Sequence, residues 1–329
     1  MKTEEVGGFG LLPSSSNYKY DVKHTDMKIF NKLLFMLLAV GMFSSCIKED
    51  MDDCPKYSVN TLSLSYKGDG TAEIFNEKIE RVVMYVFDKN EQLVTMRELT
   101  KDELAQRSVC LPELEPGTYR VTCFGNLIKD QVNDLYCGDC DKIYCAAPEY
   151  FKKETISSND PLYYSSLELT VTEEDQNREL LFASSHYKVL VEVAGVPAES
   201  NLSIEVCGVL PYTNFENKAG GNPVDYKLDT EYSDGQFNAL SNIMRHSDHS
   251  AVDVCVRDVN GNEIAKINLA EFLRANPKID CSKHEVVIPI HFEFKSVGVE
   301  IGVPDWFVVP DVTSTTEIYT LSLHFALPI

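Results

Sequence analysis

The chain is short of several things at once, and each shortage closes off a class of function. Basic residues number 30 against 51 acidic ones, a net charge of −21. A surface of that sign repels phosphate backbones, so nucleic acid is excluded as a partner. There is no Gly-x-Ser-x-Gly elbow, and no glycine-rich phosphate loop follows a strand, so the common serine-hydrolase and nucleotide-binding signatures are missing. Histidines number seven, and only His246-Ser-Asp248-His249 is close-spaced. In a Ser/Asp-rich stretch that group reads as a solvated turn, and His284 and His291, beside or within a strand, read as packing residues. No cofactor and no enzymatic activity are expected. Long apolar runs are lacking too. Leu34–Phe43 covers ten residues, roughly 15 Å as a helix and about half the hydrocarbon thickness, too short for a permanent span. Trp306 is the single tryptophan beside 16 Tyr and 16 Phe, a balance that suits β cores better than an exposed carbohydrate platform. Sustained helical periodicity is almost absent.

What is present begins at Met27. Lys28 and Lys32 precede the apolar run, and small Ser44 and Ser45 follow it before Cys46. A basic start, a short apolar stretch and small residues at a cleavage point make residues 27–45 a secretory signal. Phe43-Ser44-Ser45-Cys46 resembles the lipobox of bacterial lipoproteins, in which cleavage falls between residues such as Ser45 and Cys46 and the cysteine is acylated. An ordinary secretory signal with an incidental cysteine is the alternative. Residues 46–56 form an acidic leader, and Lys48, Glu49 and Asp50 resemble the tag that sends lipoproteins of Bacteroidetes to the cell surface. Residues 1–26 are polar and aperiodic and read as an over-extended start, with Met27 the true one. Removal of residues 1–45 leaves 25 basic and 47 acidic residues. The remaining length fits two domains of ordinary size.

Nine cysteines follow Cys46, an odd number that leaves at least one outside any internal pairing. Cys110, Cys123, Cys207 and Cys255 lie in alternating apolar runs and are expected as buried free thiols. Cys137, Cys140 and Cys145 cluster as C-x-x-C-x4-C, the nearest thing here to a metal spacing. No second such pair and no His pair follows, so a local disulfide or free loop thiols are the expectation.

The mature chain reads as strands. Thr61–Tyr66 and Ala72–Phe75 flank Lys-Gly-Asp-Gly, a hairpin signal. Ile79–Asp88 is β-branched and aromatic, hence a buried strand, with Leu93–Leu99 as its return. Thr100-Lys-Asp-Glu has the spacing of a capping box. Tyr119, Val121 and Cys123 alternate after Pro116-Gly117. Residues 127–165 read as loop-rich, Leu167–Val171 and Glu179–His186 as strands. A second unit opens near Tyr187, with strands at Val189–Val193 and Leu202–Leu210 and a loop over Asn214–Asp234. Asn260-Gly261 marks a hairpin between Ala251–Asp258 and Glu263–Asn268, and Asn268 caps a helix to Asn276. Val286–Phe294 and Val297–Val309 complete the strands. The fold class is all-β, with two tandem β-sandwich domains over 57–186 and 187–311.

Four pieces in order carry a family resemblance: the lipobox cysteine, the leader Ile47–Pro55, KIERVVMYVFDKNEQLV (Lys78–Val94) and LEPGTYRVTCFGNL (Leu114–Leu127). Together they resemble the fimbrial anchor lipoproteins of Bacteroidetes, the minor-fimbrium anchor family of type V pili. The resemblance covers residues 27–311 and implies transthyretin-like sandwiches and an outer-membrane, surface-exposed site at the fimbrium base. It also implies lipid on Cys46 and a fimbrial shaft subunit as partner, joined by strand exchange, with limited elongation. A surface glycan-binding lipoprotein of a nutrient-uptake system is the alternative. Residues 312–329 do not read like the rest and resemble a translated sequencing-adapter tail.

Overall fold

The computed structural model describes residues 58–307, which lie within one compact unit. Strands dominate. In the first half they are β1 (Asn60–Ser65), β2 (Val82–Asp88), β3 (Leu93–Glu98), β4 (Ser108–Cys110), β5 (Gly117–Gly125), β6 (Gln131–Asn133), β7 (Tyr144–Ala146), β8 (Tyr163–Val171), β9 (Gln176–Leu181) and β10 (Ala183–Ser184). In the second half they are β11 (His186–Ala194), β12 (Ser203–Val209), β13 (Tyr212–Asn214), β14 (Ala219–Gly220), β15 (Val224–Lys227), β16 (Thr230–Ser233), β17 (Gln236–Met244), β18 (Asp253–Arg257), β19 (Glu263–Asn268), β20 (Val287–Lys295) and β21 (Gly298–Gly302).

The two halves repeat one topology. In the first, sheet β4-β1-β9 faces sheet β10-β8-β5-β2-β3; in the second, β16-β17-β11-β20-β21 faces β15-β12-β18-β19. Each half places its opening strand beside its last long strand in parallel, β1 with β9 and β11 with β20, while its other pairings are antiparallel. Both halves are sandwiches whose inward side chains come from alternate positions along each strand. Leu62, Leu64, Val82, Met84, Val86, Val121, Cys123 and Leu180 fill the first core, and Val189, Val191, Val193, Val206, Val254, Ile288 and Ile290 the second.

A third core lies outside both. Val83, Tyr85 and Phe87, on the opposite face of β2, pack with Phe124, Cys145, Phe215 and Met244. The cover over that face is a small sheet, β14-β13-β7-β6, with strands from both halves. β2 is therefore buried on two sides, which is why it reads VVMYVF without the alternation of a half-buried strand.

The local signals behave as the side chains dictate. Thr100 and Glu103 form a reciprocal capping box at the helix Lys101–Gln106, and the Asn268 side chain accepts from Ala270 and Glu271 at the start of Leu269–Ala275. Ala72–Phe75 is not a strand. Glu73 turns back, its carboxylate accepting the backbone N–H groups of Tyr66 and Phe75 and the Ser65 hydroxyl, and a short helix Phe75–Lys78 follows. Asn214–Asp234 is likewise more than a loop, since it carries β14, β15 and β16.

Candidate assembly surface

One link between the halves is Glu285, just ahead of β20. Its carboxylate accepts the hydroxyl of Tyr66 at 2.5 Å and that of Tyr163 at 3.0 Å, and pairs with Lys78 at 3.2 Å. All three partners lie in the first sandwich, and Tyr66 is fully buried. Burial opposes the charge on Glu285, yet the Tyr66 hydroxyl, Lys78 and Tyr163 hold its carboxyl below the usual range. The backbone N–H of the neighbouring His284 donates to the Asp69 carboxylate at 2.9 Å.

A second link is the Phe215 loop. Its ring is fully buried against Tyr85, Phe87 and Phe124, with centroids 5.0, 5.9 and 5.0 Å away. Its carbonyl accepts from Arg120 and from the Tyr164 hydroxyl, each at 2.7 Å, and Arg120 also pairs with Glu216. A third link is polar and buried. Asp160 accepts three successive N–H groups, those of Ile128, Lys129 and Asp130, at 2.6–2.8 Å. Asn159 donates to Asp130 and accepts the Tyr226 hydroxyl at 2.5 Å. Burial, and then the Asp160 carboxylate, push the Asp130 carboxyl up to about 7.

Against this braced interior, one border of the first sandwich is open among the described residues. Among the described residues β9 pairs with β1 alone, and the outer edge of β8 pairs with β10 only at Tyr163 and Tyr164. In the second sandwich the corresponding last strand, β20, gains a partner in β21. Among the described residues the first sandwich therefore ends one strand earlier, and no strand pairs with the outer edge of Gln176–Leu181. Leu181 on this strand is 58% exposed, and Glu168, Glu173, Glu174, Asp175 and Glu179 around it are also exposed.

The sequence-derived site residues fall unevenly. Ser45, Cys46, Lys48, Glu49 and Asp50 lie outside the described residues. Cys137, Cys140 and Cys145 are free and do not converge. Cys137 is exposed at a turn, whereas Cys140 and Cys145 are buried in the third core. Burial pushes the Cys140 thiol up to about 11 and the Cys145 thiol well above its usual range. Among the described residues no group of three or more His, Cys, Asp or Glu side chains is placed to hold a metal. Two of the four thiols expected to be buried are not: Cys110 is exposed and Cys207 half-buried, because the inward phase belongs to Val109 and Val206. His246 is buried instead of solvated, accepting the Leu210 N–H through Nε2. Among the described residues no helix is long and apolar enough to cross a membrane.

Comparison with known proteins fits this architecture. The chain spans most of three solved structures: a candidate adhesin from Bacteroides ovatus (18% identity, 76% of this chain and 95% of that one, TM-score 0.63), a candidate adhesin from Bacteroides thetaiotaomicron (16%, 76% and 97%, 0.58), and the fimbrial anchor protein Mfa2 from Porphyromonas gingivalis (17%, 72% and 90%, 0.58). At these identities the likeness establishes the fold. No curated protein sequence matches the chain. The family model for fimbrillin-A associated anchor proteins Mfa1 and Mfa2 matches residues 51–311, and the chain belongs to that family.

Proposed function

We propose that this protein is an outer-membrane lipoprotein that fastens a type V fimbria to the cell surface. The family match over residues 51–311 carries the reading. Cys46 bears the lipid, after cleavage between Ser45 and Cys46, and Lys48, Glu49 and Asp50 direct the protein outward. Each buried CH₂ contributes about 0.8 kcal/mol, so two or three acyl chains hold a protein on a bilayer with no spanning helix. The N-terminal sandwich (57–186) and the C-terminal sandwich (187–311) act as one braced strut, supported by Glu285 and the Phe215 loop crossing between them.

The shaft subunit is the partner, and a strand of it adds to an open border of this chain. Main-chain hydrogen bonds supply affinity in such β-augmentation, and alternate side chains supply register. A chain fixed at one end to lipid and offering one strand edge ends the polymer, so shaft elongation stops there. Deletion of the gene should release fimbriae into the medium or lengthen them; fimbriae unchanged in length and attachment would refute the anchor role. Mass spectrometry of the mature N-terminus tests the tether separately, and an unacylated Cys46 would remove it.

A further inference from the structure

We propose that Cys207 and Cys255 are joined by a cross-strand disulfide that staples β12 to β18 in the second sandwich. Their sulfurs lie 3.8 Å apart. Glu205 faces Cys255 and Cys207 faces Asp253, so the two cysteines sit diagonally on the same face of neighbouring antiparallel strands. That face is the outer one, since Ile204, Val206, Val254 and Val256 point into the core. An S–S bond is about 2.05 Å long, so closure asks for roughly 1.8 Å of approach. The strand is irregular there. Cys207 occupies the last position at which β12 pairs with β18, and the register of β12 against β15 shifts between Val206 and Val209. Gly208 follows at φ +75°, where a Cβ would lie 2.2 Å from the Ala251 carbonyl oxygen, so the irregularity is fixed by a residue that only glycine suits.

The two thiols are unequal in the way an exchange reaction uses. Cys207 is half-buried and reachable, whereas Cys255 is 1% exposed. The neighbouring Cys255 thiol holds Cys207 below the usual thiol range, with Arg257 adding in the same direction, while Cys255 is raised by the pairing with Cys207 and by burial. Around them Arg257 pairs with Glu205 at 2.7 Å and Lys266 with Asp253 at 2.7 Å, a charged rim that leaves the sulfur pair at its centre. The oxidant is a disulfide, either a thiol–disulfide oxidoreductase or a small-molecule disulfide, of the oxidising compartment an exported chain meets. The Cys207 thiolate attacks one sulfur of that disulfide and expels its first thiolate. Cys255 then loses its proton and attacks the Cys207 sulfur, expelling nothing from the protein but the second oxidant thiolate. The oxidant gains two electrons and two protons and leaves as two thiols; Cys207 and Cys255 lose them and become cystine. The inference rests on the proposed export of the chain, and not on the anchoring of a fimbria.

The test uses the purified chain from Cys46 onward in oxidised and reduced glutathione buffers, followed by alkylation and peptide mapping without reduction. The expected result is a cross-linked peptide pair containing Cys207 and Cys255, 2 Da lighter than the dithiol. Its melting temperature should fall by roughly 5–10 °C on reduction, the entropy of a loop of this length converted through a domain of this size. Cys207→Ser should abolish both the cross-link and the redox dependence of melting, while its reduced-state melting temperature stays near that of the reduced parent. Full alkylation of both thiols in the oxidised buffer, a persistent mixed disulfide on Cys207, or a cross-link from Cys207 to any other cysteine would overturn the proposal.

Discussion

Replacement of Glu285 should loosen the two sandwiches from each other before it unfolds either. In Glu285→Ala the Tyr66 hydroxyl, on a side chain with no exposure, and the Tyr163 hydroxyl, 3% exposed, both lose their acceptor. A buried donor left unpaired costs about 1–3 kcal/mol, and bonds to a charged group contribute about 1.5–3 kcal/mol. The Lys78 pair is part-exposed, with side chains 31% and 26% accessible, and adds at most about 1 kcal/mol. These place Glu285→Ala at about 3–5 kcal/mol. Glu285→Gln keeps a carbonyl acceptor and loses the charge, so about 1–2 kcal/mol is expected.

The chain supplies its own probe for this. Trp306 is the single tryptophan, lies in the second sandwich and donates Nε1–H to Glu192 at 2.7 Å. Its fluorescence follows that sandwich alone, while far-UV circular dichroism follows both. In urea the two signals should coincide for the parent and separate for Glu285→Ala. Acid adds a sign test. The folded carboxyl sits below its unfolded value near 4.5, so its contribution is present above that pH and is lost as pH falls through the lower folded value. The parent should therefore lose its advantage over Glu285→Gln only in that acid window. A Glu285→Ala loss below 0.5 kcal/mol, or a glutamine variant no more stable than the alanine one, would refute the reasoning.

Other outcomes follow from the same contacts. Phe215→Ala should cost about 3–5 kcal/mol, because a ring enclosed by Tyr85, Phe87 and Phe124 is removed, and amide exchange should quicken first in β13 and β14. Asp130→Asn should flatten the pH dependence of stability. The folded carboxyl is pushed up to about 7 against 3.8 unfolded, so the folded chain holds the extra proton and stability falls as pH rises between those values. The asparagine variant should thus gain on the parent in urea midpoint at pH 8 relative to pH 5; parallel curves would sink this. Asn268→Ala should cost about 1 kcal/mol by thermal melting, since its side chain caps the Leu269–Ala275 helix through two N–H groups.

Several features were legible because they are local. The Thr100–Glu103 capping box, the Asn268 cap and the turn at Asn260-Gly261 each rest on residues within four positions of one another. The strand at Val82–Asp88 was readable from β-branched and aromatic content. Where the reading failed, a partner remote in sequence or one side chain's reach decided. Glu73 folded back onto Tyr66 and converted an expected strand into a turn and helix. Residues 127–165 and 214–234 carry little apolar period, because their strands are short: β6, β7 and β14 belong to the small sheet that covers β2, while β15 and β16 each join the end of a sheet of the second sandwich.

By itself, then, the sequence determined the composition of both sandwiches, the alternating strands, the caps, and an N-terminal segment with the pattern of a lipid-bearing export signal. These follow from covalent neighbours and from the fixed period of two along a strand. Only the tertiary structure decided which carboxylate braces the halves and which strand border is open among the described residues. It also decided which two of the eight free thiols among the described residues come within 3.8 Å. Glu285 and Tyr66 are 219 positions apart and Cys207 and Cys255 are 48 apart. Nothing in the local chemistry of either member names the other. The pairing is set by strand order and register, which are fixed when two sheets close on one core.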